Sequence, residues 1–293
     1  MGWLRVMQQR EPFAPDESLT ELWAEAVRRW PGASPFDLAV FAARAVPLPG
    51  LAFAMGYQAA LRVLWPSAPA GLGAICVTEN RSIRPADLAT KVQGTRLSGR
   101  KDFVTAGDQA EWLMVAARCE SLGQPPRLSM TVVYPGEPGV RLEALPPAPI
   151  MPETGHARAW FEHALCALLP GDGWDDYVKP FRSVEDLYIL AALVSWLLGI
   201  AIEDPWPQTL QLRLLAVLGG CAEAARQPPL APATHLLLAG LFAQFEALAP
   251  EVEHAFDISP RALGPVWRRD RALFELARGA REKRLARALA VLG

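Results

Sequence analysis

The residues that could do chemistry are few and scattered. His163 and Cys166 stand three positions apart, a spacing found in metal sites. No second pair accompanies them, so a structural strand is the plainer expectation. His156, His235 and His254 are isolated. His235 opens an apolar run with Leu236, Leu237 and Leu238, which fits a partly buried histidine better than a catalytic base. Cys76, Cys119, Cys166 and Cys221 show no paired spacing, and free thiols in a reducing cytoplasm are expected. The serine elbow Gly-x-Ser-x-Gly and the phosphate loop Gly-x-x-x-x-Gly-Lys do not occur. Gly71-Leu72-Gly73 lacks the third glycine of a dinucleotide fingerprint.

Charge narrows the partners. The net charge of −2 gives no overall attraction to nucleic acid or to an anionic membrane. The last helix concentrates basic side chains, among them Arg268, Arg271, Arg278, Arg281 and Arg284, against Asp270, Glu275 and Glu282. An electropositive wall for a phosphate-bearing ligand is one reading. A solvated helix face, with cations favoured near the C-terminus, is the plainer one and is preferred. The first ten residues hold no apolar core of the length that secretion needs. The longest apolar run, 187–202, is shorter than the 18 or so residues of a membrane span and has acidic flanks. A buried helix of a soluble protein is expected there.

The elements that must position these groups follow from periodicity. With 293 residues, 51% of them hydrophobic, the chain can bury a large core. Ser18-Leu-Thr-Glu21 is a capping box opening a helix with Leu19, Leu22, Trp23, Ala26 and Trp30 on one face. Ser34-Pro35 starts a second helix, and a third runs over 51–64. From 72 the pattern becomes short strands divided by Gly/Pro turns: 72–78, 127–134, 140–144 and 158–168. The stretch 94–118 reads as three more strands, with a tight turn at Ser98-Gly99 and a break at 106–108. Helical periodicity returns over 184–202, 207–226, 232–248 and 263–292. The expected fold is mainly α with a central β-barrel: a small helical part (1–70), a β-barrel (71–178) and a helical bundle (179–293).

Cys76-Val-Thr-Glu79, then Gly94-Thr-Arg-Leu-Ser-Gly-Arg-Lys-Asp-Phe-Val-Thr105, then Ala110-Glu-Trp-Leu-Met-Val-Ala-Ala-Arg118, resemble the middle domain of acyl-CoA dehydrogenases. Gly56-Tyr-Gln-Ala-Ala-Leu-Arg-Val-Leu-Trp-Pro66 is similar to the family's helix before the barrel. Arg269-Asp270, Leu273-Phe274 and Gly279 are similar to its final helix. The resemblance implies a helical, β-barrel, helical-bundle architecture, FAD as cofactor, and an acyl-CoA or carrier-bound acyl thioester as substrate. It also leaves room for a homo- or hetero-oligomer. Val77 and Thr78 would meet the flavin edge, Phe103 would pack on it, and Thr105 would hydrogen-bond near N5.

Departures from the family pattern qualify that implication. Where the family continues Pro-x-Ala-Gly-Ser-Asp, this chain reads Asn80-Arg-Ser-Ile-Arg-Pro-Ala-Asp87, without glycine. The segments that hold the adenosine half of FAD, Arg-x-x-Phe-Gly and Gln-x-x-Gly-Gly, are missing. Arg278-Gly279 occupies the place of the usual Glu-Gly pair, and an arginine cannot abstract a proton. Some members carry the base at the start of the first bundle helix, where Glu185 and Asp186 stand here. Acidic residues in a first helical turn are also favoured by the helix dipole alone. The alternative is a catalytically silent relative that binds acyl thioesters or protein partners.

Overall fold

The computed structural model describes residues 2, 11–14, 17–119, 127–204 and 206–292. They form two compact units. One comprises 1–60, 149–151 and 183–293, and the other 61–148 and 152–182. The helices at the two ends of the chain thus share one unit.

The helical unit begins with α1 (Leu19–Arg29). Ser18 accepts from the Glu21 amide, the Glu21 carboxylate accepts from the Ser18 amide at 2.8 Å, and Leu19, Leu22, Trp23 and Ala26 turn inward. In α2 (Pro35–Ala45), Ser34 accepts from Asp37 N and proline takes the first turn. Then come α3 (Pro49–Leu64) and the long α4 (Lys179–Glu203). The Ser195 hydroxyl of α4 donates to the Val40 carbonyl at 2.7 Å, tying two segments 155 residues apart. Gly56 allows α3 to touch α4, because a Cβ there would lie 2.7 Å from Tyr188 O and 2.9 Å from Ala192 Cβ. The expected result of Gly56→Ala is a loss of about 1–3 kcal/mol in urea unfolding, since the backbones must part to admit a methyl. A change within 0.5 kcal/mol would remove the close crossing from the account.

The bundle continues with α5 (Gln208–Ala224), α6 (Pro232–Ala247), α7 (Ala249–Ile258), α8 (Gly264–Asp270), α9 (Leu273–Leu276) and α10 (Arg278–Leu292). Pro250 both follows α6 and occupies the first turn of α7, a helix the periodicity does not mark. The single helix expected over 263–292 is broken into three. The joints are closed by i→i+3 bonds such as Phe274 N to Arg271 O, with no glycine or proline at 271–272 or 277 to announce them. Buried Asp270 accepts from Met151 N at 2.8 Å and pairs with Arg269, so the Arg269-Asp270 signature has a structural task. The apolar stretch of α4 extends through its acidic flanks and the preceding turn, giving one helical run, Gly173–Glu203, long and apolar enough to cross a membrane. Of its apolar window, 83% is buried inside the fold, as a core helix requires.

The second unit is a curled sheet of β1 (Gly73–Cys76), β2 (Lys91–Gln93), β3 (Arg96–Thr105), β4 (Trp112–Cys119), β5 (Arg127–Val133), β6 (Val140–Ala144), β7 (His156–Leu165) and β8 (Ala167–Leu168). Its order is β6-β7-β3-β2-β4-β5-β8, with β1 parallel to β4. Among the described strands β6 and β8 do not pair, so the sheet is an open half-barrel rather than the closed barrel expected. β6 is mostly exposed, and β8 is the two exposed residues Ala167 and Leu168. Ser98-Gly99 is not a turn. β3 runs unbroken for ten residues, and Gly99 (φ +139°) makes a bulge that lets the strand pass Thr90, whose Cα would lie 2.6 Å from a Cβ. The tight turn is at Gly94-Thr95, between the paired residues Gln93 and Arg96.

Candidate functional site

The sheet unit places the proposed cofactor residues along one seam. After β1 the chain runs beside β3: Lys101 Nζ donates to Val77 O at 3.1 Å, and Asp102 N donates to Thr78 O at 2.9 Å. Glu79-Asn80-Arg81-Ser82 then folds back on itself. Asn80 (φ 48°) and Arg81 (φ 63°) both adopt left-handed backbone, and Glu79 and Ser82 exchange amide–carbonyl bonds of 2.9 and 2.8 Å. This tight turn stands where the resemblance calls for a glycine-serine loop. Asp102 secures it, accepting from Asn80 N at 2.6 Å and pairing with Arg100 at 2.8 Å.

Beneath the turn lies a buried ion pair. Lys101 is fully buried and Glu79 nearly so, with Nζ 2.5 Å from Oε1. The Glu79 carboxylate also accepts from Ala89 N and Thr90 N, which closes the excursion 80–89 onto the sheet. Burial lowers the lysine's pKa, and Glu79 opposes that shift. Burial raises the Cys76 thiol to about 12, which makes it inert as a nucleophile.

Beyond Lys101 the strand changes character. Phe103 is 46% exposed. It stacks on His156 of β7, with centroids 4.3 Å apart and planes inclined by 34°. Thr105, buried, is paired in register with His156. Val77 is buried and Thr78 half-buried. Among the described residues the side chains of Thr78, Thr105 and His156 make no hydrogen bonds. An exposed aromatic ring and uncommitted hydroxyls along one seam are a donor set that suits the edge of an isoalloxazine, so these residues fit the ring end of a flavin. His156 belongs to this group although nothing in its sequence neighbourhood marks it. Only strand register brings it beside Phe103 and Thr105.

Glu185 and Asp186 lie in the helical unit. They do not open their helix: α4 begins at Lys179 and continues a π-helical turn, Gly173–Val178, capped by the Asp172 carboxylate on Trp174 N and Asp175 N. The first-turn dipole argument therefore does not apply to them. Asp186 is instead held by Arg284 and, at 3.7 Å, by Arg281, all three side chains largely buried. Glu185 is half-buried.

The basic last helices are largely neutralised. Arg268 pairs with Glu253 and Asp257, Arg271 with Glu253, and Arg278 with Glu275 at 2.6 Å and Glu246 at 3.3 Å. A cleft between α6 and α10, walled by His235, Phe242, Arg278, Arg281 and Arg284, carries the Arg278–Glu246 pair in its lining. The ion-paired, partly solvated reading of this surface holds over that of a free cationic wall. Among the described residues no group of three or more metal-capable side chains occurs, and His163 and Cys166 remain a lone pair. The four cysteines are free thiols.

Comparison with solved structures shows which fold this is. FkbI, from biosynthesis of a methoxymalonyl extender unit, matches with a TM-score of 0.67 at 17% identity, over 96% of this chain and 94% of that one. The FAD complex of PigA matches at 0.62 and 15% identity, over 100% and 93%. Butyryl-CoA dehydrogenase from Megasphaera elsdenii matches at 0.65 and 13% identity, over 94% and 88%. No protein-family model matches the chain, and no curated protein sequence matches it significantly. At these identities the likeness is one of fold, and the sequence resemblance to acyl-CoA dehydrogenases holds at that level.

Proposed function

We propose that this chain is a divergent acyl-CoA dehydrogenase relative that binds a flavin and acts on an acyl thioester. The observation that carries the reading is the seam of β3 and the chain after β1, which carries exposed Phe103 and the uncommitted hydroxyls of Thr78 and Thr105. Phe103 would pack on the ring, Val77 and Thr78 would line its edge, and Thr105 would hydrogen-bond to it. FAD, when bound, supplies the hydride acceptor for α,β-dehydrogenation. Glu185 would accept the α-proton of an acyl-CoA or carrier-bound acyl group, and Asp186 is the other candidate. A cytoplasmic location, and assembly with itself or with a homologue, belong to the same reading.

A second reading, a silent relative that serves as an acyl-thioester or protein-binding scaffold, draws on three features. Asp186 is engaged by two arginines, Arg278 stands at the usual base position, and the Asn80-Arg81 turn replaces the glycine loop. A visible spectrum with thermal melts separates the two. On the flavin reading the purified protein is yellow, acyl-CoA bleaches it, and FAD at 100 times Kd stabilises it by about 2.7 kcal/mol. Folded, colourless protein whose melting temperature ignores FAD would leave the scaffold reading standing.

A further inference from the structure

We propose that His156 is a flavin-positioning residue: stacked on Phe103 and paired in register with Thr105, its neutral imidazole completes the surface on which a flavin ring seats, so that acid releases the flavin. The inference rests on the flavin reading above and adds a residue and a regulation to it.

The stack sets the argument. Phe103 keeps nearly half its surface exposed, yet its ring is held at 4.3 Å from the imidazole. Such an offset contact is worth about 0.5–1.5 kcal/mol beyond burial and fixes the angle at which the ring is offered. Gly107 (φ +56°) lets the turn after β3 approach this histidine, for a Cβ there would lie 3.1 Å from His156 N. The backbone of His156 is therefore held against that turn and its ring against Phe103, while the ring nitrogens remain uncommitted. An aromatic ligand laid along Phe103 meets this edge and takes it further out of water. Desolvation penalises the charged form, so the ligand binds better to neutral than to protonated His156.

The surroundings leave burial as the controlling influence. Charged groups on the adjoining elements are Arg100, Lys101 and Asp102 on β3, Asp108 in the following turn, Arg141 and Glu143 on β6, Glu153 before β7, and Arg158 and Glu162 along it. Burial alone lowers the His156 pKa below its ordinary 6.5. Binding lowers it again. Above the free protein's value the affinity is level; as pH falls through that value the affinity drops, by at most about tenfold per pH unit for a single proton.

The test is FAD affinity, read by quenching of flavin fluorescence from pH 8 to pH 5, with near-ultraviolet circular dichroism confirming the fold at each pH. Wild-type protein should lose affinity below pH 6.5. His156→Phe keeps an aromatic stack without a proton, and should bind at neutral pH within about threefold of wild type with a flat profile. His156→Asn should also be flat but weaker. A wild-type profile that matches those of the two variants at every pH where the fold is intact, or acid sensitivity that persists in both variants, overturns the role of His156 and leaves the flavin reading intact. Wild-type protein that binds no FAD at any pH overturns the flavin reading, and the role of His156 with it.

Discussion

Replacing Lys101 with methionine is expected to destabilise the sheet unit by about 3–5 kcal/mol, because it strands a buried carboxylate. Glu79 sits where the chain after β1, β3 and the end of the excursion 80–89 are joined. Its oxygens receive Lys101 Nζ, Ala89 N and Thr90 N, and the lysine also caps Val77 O. Without the ammonium, the anion keeps two amide donors, which do not offset the loss of a full charge in a dry site. The measurement is urea unfolding combined with hydrogen exchange at the Ala89 and Thr90 amides. Both amides should lose protection in Lys101→Met. A double variant, Glu79→Gln with Lys101→Met, should recover much of the stability, since removing both charges removes the stranded one. A Lys101→Met protein within 1 kcal/mol of wild type, with Ala89 still protected, would show that the pair does not hold the turn.

This pair also shows where sequence reading stops. The strand over Asp102–Thr105 was legible from its local pattern, Phe103 and Thr105 were marked only by the family resemblance, and the capping serines were legible because a cap bonds three residues away. Glu79–Lys101 and His156–Phe103 are separated by tens of residues, and their meeting depends on register, which one sequence does not disclose. Ser98-Gly99 misleads for a related reason. The same dipeptide suits a hairpin turn or a bulge, and here the need to pass Thr90 decides for the bulge. The start of α4 is a different kind of miss. Asp172 is an ordinary N-cap residue, but the π-helical turn behind it breaks the 3.6 period, so the pattern becomes readable only from Val184. Barrel closure was not legible at all, because it depends on whether β6 and β8 meet.

With α4 beginning at Lys179, both candidate carboxylates lie inside the helix, and their side-chain partners must tell them apart. If the flavin reading holds, Glu185→Gln should slow flavin reduction by acyl-CoA by about 10²–10⁴-fold, the usual loss when a general base is removed, with FAD affinity unchanged. Asp186→Asn should act mainly on stability, costing about 1–3 kcal/mol. That is less than for a fully buried pair, because its side chain and those of Arg281 and Arg284 keep 11–16% exposure. The case against Asp186 as the base is its ion pairs. Both oxygens of Asp186 face guanidinium groups on α10, and a lone pair so engaged is poorly placed to receive a proton from carbon. Arg278, paired with Glu275 and Glu246, offers no base in its stead. Rapid-mixing reduction kinetics and urea melts on the two variants give the answer together. Fast reduction in Glu185→Gln with loss in Asp186→Asn would reverse the assignment. No reduction in the flavin-loaded wild type with a range of acyl thioesters would mean that neither carboxylate is a base and that the scaffold reading is the correct one.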